Sequence, residues 1–507
     1  MNLTMLLDMA ADGFGDRIVV GSRDLGISAA RLQELSVAGA AAIREAGADS
    51  VVYLAVNGPA FPVAMFSAAR AGVPLVPVNY RLGREQLDAL LANHPRALGI
   101  ADPFQTEALE RAGLKVFSPQ EWVQNLAASA ITELDEDDAV DTDGDSDAPA
   151  VVIYTSGTTS APKGVLLRHE NLTSYVFGSV EFASAEETDA ALVSVPPYHI
   201  AAVANVITNL YAGRRTMVLE QFTPQQWLDT VRREEISNAL VVPTMLARIV
   251  ESDADKSVPS LRGLAYGGAP MPARVIENAL QMWPETGFVN AYGLTETSST
   301  IAVLGPDDHR AALESDDESV RARLGSVGQI VPGIELEIRD LEDRVVEPGV
   351  TGRICVRGDQ VSAEYAGIGR MVDERGFFDT RDKGYVDEEG FLFVGGRVDD
   401  TIIRGAENIA PAEIEDVILR HPAVLDVAVV GVPDDEWGQR IEAAVVLRPG
   451  VPVDAEELRA FVRDALRSSK TPERIVYWDE LPRTETGKLV RRHVVDRLTR
   501  QEQAAEV

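Results

Sequence analysis

Residues 50–101 alternate two kinds of segment at a spacing that leaves few folds open. SVVYLAV is a continuous apolar run of strand length, and PAFPVAMFSAARAG is an apolar helix closed by glycine. VPLVPVN is a second strand, REQLDALLANHP a second helix and RALGIAD a third strand. Strands without polar alternation, separated by helices, predict βαβ units and a parallel sheet covered on both faces. Further units run from AVVIYT through ALVSVPP and LRGLAYGG to GFVNAYG. Residues 325–395 turn into short strands punctuated by Gly and Pro (VGQIVPGIELEIRD, VTGRICVRG, GFLFVGG). From about 399 the pattern changes to a compact α+β module: PAEIEDVILRHP, VLDVAVVGVP, IEAAVVL, AEELRAFVRDALR. The predicted fold class is therefore α/β: a large N-terminal domain, 1–398, with parallel βαβ sheets and a β-rich subdomain, and a small C-terminal α+β domain, 399–507. The acidic stretch 133–149, ELDEDDAVDTDGDSDAP, reads as a solvated connector.

The 507 residues are too many for one ordinary domain. A formal net charge of -33 disfavours nucleic acid and anionic membrane surfaces as partners, so a polyanionic ligand needs a local cluster of cations and backbone N–H groups. The opening MNLTMLLDMAADGFGDR has no basic region before its apolar run and is not expected to be a signal peptide; no apolar run is long enough to span a bilayer. The single cysteine, Cys355, precludes an internal disulfide and suits a reducing, cytoplasmic setting. In GRICVRG it reads as a strand residue packed in a core. Only six of the 47 basic residues are lysine, and where arginine is the default cation a retained lysine hints at a site wanting a compact point charge. No spacing among His94, His169, His309, His421 and His493 suggests a zinc site.

After the strand AVVIYT comes YTSGTTSAPKG, 154–164. Glycine lets a backbone approach closely, its N–H groups nest an anion, and the hydroxyls add donors, so the loop suits phosphate; a polar surface hairpin is the alternative. It is not the P-loop of nucleoside triphosphatases, because Lys163 follows Pro162 and precedes Gly164.

Three more stretches follow in order: YGLTET at 292–297, TRDKGYVDEEGFLFVGGRVDDTIIRGAENIAPAEIE at 380–415, and LPRTETGKLVRR at 481–492. Together these four motifs resemble the adenylate-forming superfamily of acyl- and aryl-CoA synthetases, luciferases and peptide-synthetase adenylation domains, over nearly the whole chain. The resemblance implies a two-step reaction. A carboxylate attacks the α-phosphorus of ATP to give an acyl-adenylate and pyrophosphate, and a thiol, usually of coenzyme A, then displaces AMP.

The resemblance also implies roles. Thr155, Ser156, Gly157, Thr158, Thr159 and Lys163 hold the β- and γ-phosphates, and Thr295 the α-phosphate. Glu296, with Thr158, is implied as a ligand of Mg²⁺, the physical reason for a carboxylate beside phosphates; a helix N-terminal cap is the plainer reading of Glu296. Tyr292 stacks on adenine in a site that includes Asn290 and Gly293, while Gly267, Gly268 and Ala269 of YGGAP pass beside the adenine and substrate. Asp382 and Arg397 match the ribose-binding pair, for a carboxylate accepts well from a diol. Lys488 matches the lysine that touches the attacking carboxylate and α-phosphate. Because it lies in the small domain, the family's chemistry requires that domain to close over the site. Asp399 matches a hinge about which the small domain turns, and Gly405 a thiol tunnel. Trp437 and Lys470 are weaker candidates for the nucleotide end of coenzyme A, or simple surface packing. His199, in PPYHIAAVAN, matches a gate beside the acyl pocket.

Ser160 stands where the family's loop has glycine, Arg381 where Thr-Gly-Asp is usual, and Ala406 where a second glycine is common. The segment EYAGIGRMVDERGFFDTRD is also short for the family. These departures bear on rate and remove no chemical group.

Ile200 follows His199 where peptide-synthetase domains usually carry an aspartate for an amine, which disfavours an α-amino acid. Ala201, Ala202 and Ala204 suggest a roomy apolar pocket floor, gaining about 0.8 kcal/mol per CH₂ buried. Asn205 is a candidate for a polar substituent. The expected substrate is a medium- or long-chain fatty acid or a bulky aromatic or alicyclic acid. The expected activity is a carboxylate–CoA ligase using ATP, Mg²⁺ and coenzyme A, as monomer or homodimer; the alternatives are an acyl-AMP ligase loading an acyl carrier protein and a catalytically inactive binding protein.

Overall fold

The computed structural model describes residues 1–129, 146–155, 162–404, 407–434, 437–466, 468–484 and 487–505. Most of the connector 133–149 and the loop residues Ser156, Gly157, Thr158, Thr159 and Ser160 therefore lie outside the described residues, as do Gly405 and Ala406.

The strands expected at residues 50–101 are Ser50–Leu54, Leu75–Pro77 and Ala97–Ala101, every residue of which is buried. They are parallel, with Ser50–Leu54 between the other two. They belong to an eight-stranded sheet that Pro149–Thr155 joins as a parallel neighbour of Leu75–Pro77. Lys163–Arg168 returns antiparallel beside Pro149–Thr155, so the glycine- and hydroxyl-rich loop closes a hairpin whose register sets Thr155 opposite Lys163.

A nine-stranded sheet carries the remaining parallel units. Ala190–Val193, Asn238–Val241, Gly263–Gly267 and Gly287–Leu294 run side by side in parallel, and Ser299–Leu304 turns back antiparallel. One continuous core lies between the two sheets. It takes Leu3, Leu6 and Leu7 from the first helix, Phe61 and Phe66 from Ala60–Ala71, and Val203 and Ile207 from Ile200–Ala212. Ends are fixed locally: Asn2 and Ser28 accept from first-turn N–H groups of Leu3–Phe14 and Ala29–Glu45, and Gly72 and Gly213 close two helices.

Glu335–Arg339, Gly352–Arg357, Phe378–Val386 and Leu392–Arg397 form the β-rich region as one antiparallel sheet. Cys355 sits in it as expected, 1% exposed, with burial pushing its thiol up to about 11.

After the turn Val398–Asp400 comes a three-stranded sheet, Val424–Asp434, Gly438–Leu447 and Arg474–Tyr477. Its strand period of two splits its apolar residues between two cores. Val427, Val429, Ala443 and Val445 pack with helices Pro411–Leu419 and Ala455–Ala465; Ala428, Val430, Ala444 and Val446 pack with Trp478, Val494 and Leu498. Among the described residues, no helix is long and apolar enough to cross a membrane.

Candidate functional site

The parallel strands of the nine-stranded sheet end at one cavity of about 1690 Å³, the edge at which open α/β sheets bind ligands. Register brings two distant motifs together there: Tyr266 pairs with Asn290 and Gly267 with Ala291. Gly267, Gly268, Gly293, Thr295 and Glu296 line the cavity, together with Thr155 and Lys163 from the hairpin. Beyond Leu294 the chain makes a tight turn, Thr295–Thr297, then passes through Ser298 at φ 55° and Ser299 at φ 109°. Two consecutive non-glycine residues in the left-handed region are strained backbone, held beside Glu296.

Glu296 Oε1 accepts from the Tyr365 hydroxyl at 2.8 Å, and the Lys163 ammonium lies 5.8 Å from the Tyr365 ring centre. Tyr365, which lies outside the four motifs, thus joins the hairpin lysine to the turn carboxylate. Its place in the short segment EYAGIGR, whose strand Glu364–Tyr365 pairs with Lys163–Arg168, brings it there. Desolvation, then the Glu296 charge, raises its phenol pKa, so it stays a donor.

Asp382 and Arg397 face each other across the ladder of the β-rich sheet. Arg397 Nη1 donates to Asp382 Oδ1 at 3.2 Å, and the Tyr292 hydroxyl donates to Oδ2 at 2.7 Å. Burial raises the Asp382 carboxyl; Arg397, the Tyr292 hydroxyl and the Lys488 charge pull the other way. Arg397 lines the cavity, and Asp382 and Tyr292 stand behind it. Asn290 donates its amide to Ser326 O at 3.0 Å and, like Ala269, lies off the cavity wall.

Lys488 also lines the cavity, and its charge is felt at both Asp382 and His199. Its loop is held by Lys488 N donating to Thr484 Oγ1 at 3.0 Å and Arg483 Nη1 donating to Gly487 O at 2.6 Å. Gly487 has φ 75°, and a Cβ there would meet Thr244 Oγ1 at 2.4 Å. Only glycine lets the loop lie this close to helix Pro243–Glu251. Arg448 reaches Glu251 at 3.2 Å across the same junction.

His199 caps Ile200–Ala212 at its N-terminal end and lines the cavity. Burial, reinforced by Lys488, pushes its imidazole down to about 4, so it is neutral near pH 7. The pocket floor differs from the sequence expectation. Ala201, Ala204 and Asn205 line the cavity, but Ala202 is wholly buried in the core on another side of the helix. Three alanines close in sequence do not share a face at 3.6 residues per turn. The pocket is also less apolar than expected, because Thr208, Asn209, Arg214 and Asn238 line it as well.

The other candidates have protein partners. Asp399 lies 3.9 Å from Arg381, whose φ of 61° keeps a left-handed conformation at the position where the family usually has glycine. Lys470 donates to both carboxylate oxygens of Glu413, and Arg404 lies over Trp437 at 4.9 Å.

Comparison with known proteins matches residues 7–366 to the family described as AMP-binding enzyme and residues 413–488 to AMP-binding enzyme C-terminal domain. A fatty acid–[acyl-carrier-protein] ligase from Streptomyces coeruleorubidus is 32% identical over 468 residues, 89% of this chain and 86% of that protein. A feruloyl-CoA synthase from an Amycolatopsis species is 33% identical over 461 residues, 88% of each chain. An o-succinylbenzoate coenzyme A synthetase from Bacillus subtilis, solved with ATP and magnesium ion, superposes with a TM-score of 0.81 at 28% identity, covering 96% of this chain and 98% of that one.

Proposed function

Because the chain belongs to the AMP-binding enzyme family, the adenylate-forming ligases, we propose that it is an ATP-dependent carboxylate–CoA ligase that forms an acyl-adenylate and then a thioester. The observation that carries this reading is that Lys488, although it lies in the C-terminal region, lines one cavity together with His199 and Arg397.

In this reading the domains divide at 398/399, with Asp399 as the hinge. The hairpin loop with Thr155 and Lys163 holds the β- and γ-phosphates, and Thr295 the α-phosphate. Tyr292 borders the adenine, and Asp382 with Arg397 holds the ribose. Lys488 neutralises the attacking carboxylate and the α-phosphate as negative charge gathers between them. Neutral His199 gates the acyl pocket without competing for the carboxylate as a second cation.

The residues fit Mg²⁺. One Glu296 oxygen is held by Tyr365 and the other has no protein partner among the described residues. No group of three acidic, His or Cys residues forms a cage there among the described residues, and Mg²⁺ is commonly held by one carboxylate with substrate phosphates. When bound, the ion would offset phosphate charge.

The acid is proposed to be of medium or long chain, or bulky, from the volume of the cavity and the small residues Ala201 and Ala204 of Ile200–Ala212 that line it. A carrier-protein acceptor is the second reading, favoured by the similarity to the Streptomyces fatty acid–[acyl-carrier-protein] ligase. The test is pyrophosphate release from a panel of carboxylic acids with ATP and Mg²⁺, with coenzyme A or a phosphopantetheinylated carrier protein added. Acid-dependent release with acyl-CoA formed is the expected result. Transfer to the carrier protein alone favours the second reading, and no release with any acid overturns both.

A further inference from the structure

At the end of the cavity away from Lys488, helix Ile200–Ala212 carries a polar ladder. Ala201, Asn205 and Asn209 recur every fourth residue and stack along one face. Asn205 Nδ2 donates to Ala201 O at 2.8 Å, Asn209 Nδ2 reaches Asn205 Oδ1 at 3.5 Å, and Arg214 Nη1 donates to Asn209 Oδ1 at 2.9 Å. The series ends on a guanidinium. Gly213, at φ 77°, closes the helix and is followed directly by Arg214.

Arg214 makes no salt bridge among the described residues. Asp189, the carboxylate whose charge it feels, is bonded instead to Arg262. Its Nε is buried without a partner, and burial lowers its pKa. Arg214 lines the cavity, its Nη2 has no protein partner among the described residues, and guanidinium presents a planar fork suited to a carboxylate. The cavity wall also includes Ala204, Ala239, Val289 and Val303, which suit methylene groups.

We infer that the acid bound here carries a second carboxylate remote from the reacting one, and that Arg214 binds it: the substrate class is an α,ω-dicarboxylic acid. This inference rests on the ligase reading and on the cavity being its acyl site. Asn209 lies ten residues beyond His199, about 15 Å at the helical rise of 1.5 Å per residue. Side chains lean toward the helix N-terminus, so the guanidinium lies roughly 12–15 Å from the reacting end. An extended chain advances about 1.2 Å per bond, which corresponds to roughly ten to twelve carbons.

The test is competition between dodecanedioic and dodecanoic acid for the full-length enzyme with ATP, Mg²⁺ and coenzyme A, with both thioesters quantified by mass spectrometry. The expected preference for the diacid is on the order of 10²-fold in kcat/KM, from the strength of charge-assisted hydrogen bonds. The monomethyl ester, which keeps the acceptors and loses the charge, falls between them. In Arg214→Met the ratio collapses or reverses; in Arg214→Lys, which keeps the charge without the fork, part of the preference survives. The ratio within each protein is its own control for folding, and the wild-type ratio stands without either variant. Turnover of any monoacid as well as the diacid, or an unchanged ratio in Arg214→Met, overturns the inference. Failure of every acid to release pyrophosphate overturns the ligase reading beneath it, and the inference with it.

Discussion

At the Lys488 end of the cavity, Glu296, Asp382 and Arg397 are each hydrogen-bonded to a neighbour set by a strand or a tight turn. At the Arg214 end, one helix face carries amides that finish on a cation without a salt bridge among the described residues. In the first arrangement the side chains are held in place by protein neighbours, which suits a reactant that every cycle shares. The second is completed from outside, so it decides which molecule enters. The two ends therefore answer differently to substitution.

The largest effect is expected from Lys488→Ala. Loss of this cation should lower acyl-adenylate formation, read as pyrophosphate release, by ~10²–10³ for long and short acids alike. Conversion of presynthesised acyl-AMP to thioester should be nearly unchanged, and near-normal pyrophosphate release would remove Lys488 from the first step.

Gly487→Ala should give a smaller version of the same loss, ~10-fold or more, because the new methyl group collides with Thr244 at a backbone angle that disfavours it. Adding Thr244→Ala in the same chain should recover part of the rate. A variant as active as the parent would mean that the loop works without lying against Thr244.

At the other end, Ala204→Trp should change preference rather than chemistry. The indole fills the cavity, so the ratio of long-acid to short-acid kcat/KM should fall about tenfold with the apparent KM for ATP little moved. Equal losses for both acids would break the distinction between the two ends.

The smallest effect concerns pH. His199 binds its proton near pH 4 when folded and near 6.5 when unfolded, so the unfolded chain holds more protons between those values. Stability is then lost as pH falls through that window, with a slope approaching ~1.4 kcal/mol per pH unit from this group. Denaturant titrations of His199→Gln should show a shallower fall between pH 6.5 and 4 than the parent; parallel curves would mean that the imidazole is not protected from protonation.

The same contrast governs what could be read from the sequence. YGLTET and LPRTETGK are legible because a strand end or tight loop delivers neighbouring residues to one place, leaving a contiguous motif. Asp382 and Arg397 stay legible because a hairpin sets them opposite each other. The acyl end is assembled from a helix face and several strands, with no contiguous signature. Proximity in sequence places Ala202 in the pocket with Ala201 and Ala204, whereas helical periodicity turns it into the core. Arg214 sat beside Arg215 in GRR, and nothing local distinguishes them. Arg215 pairs with Glu234 at 3.0 Å while Arg214 has no such partner, a difference that only tertiary packing creates. A glycine that closes a helix beside a candidate pocket, followed at once by arginine, is the one signal that would have pointed there.

The small C-terminal sheet is buried on both faces by its own helices and by the segment around Trp478. Its cohesion therefore does not depend on where it rests. If it swings as the proposed hinge at Asp399 requires, the movement would exchange a patch of surface without dissolving a core, so movement and foldedness would be separately adjustable quantities. In that reading, substitutions at Val429 or Ala444 would act on how much intact protein a cell accumulates, whereas those at Gly487 or Arg448 would act on how long the loop stays seated. For the same reason the module is a natural unit of exchange: a recombination point at the turn Val398–Asp400 would graft it onto a different acid pocket without cutting through either hydrophobic interior.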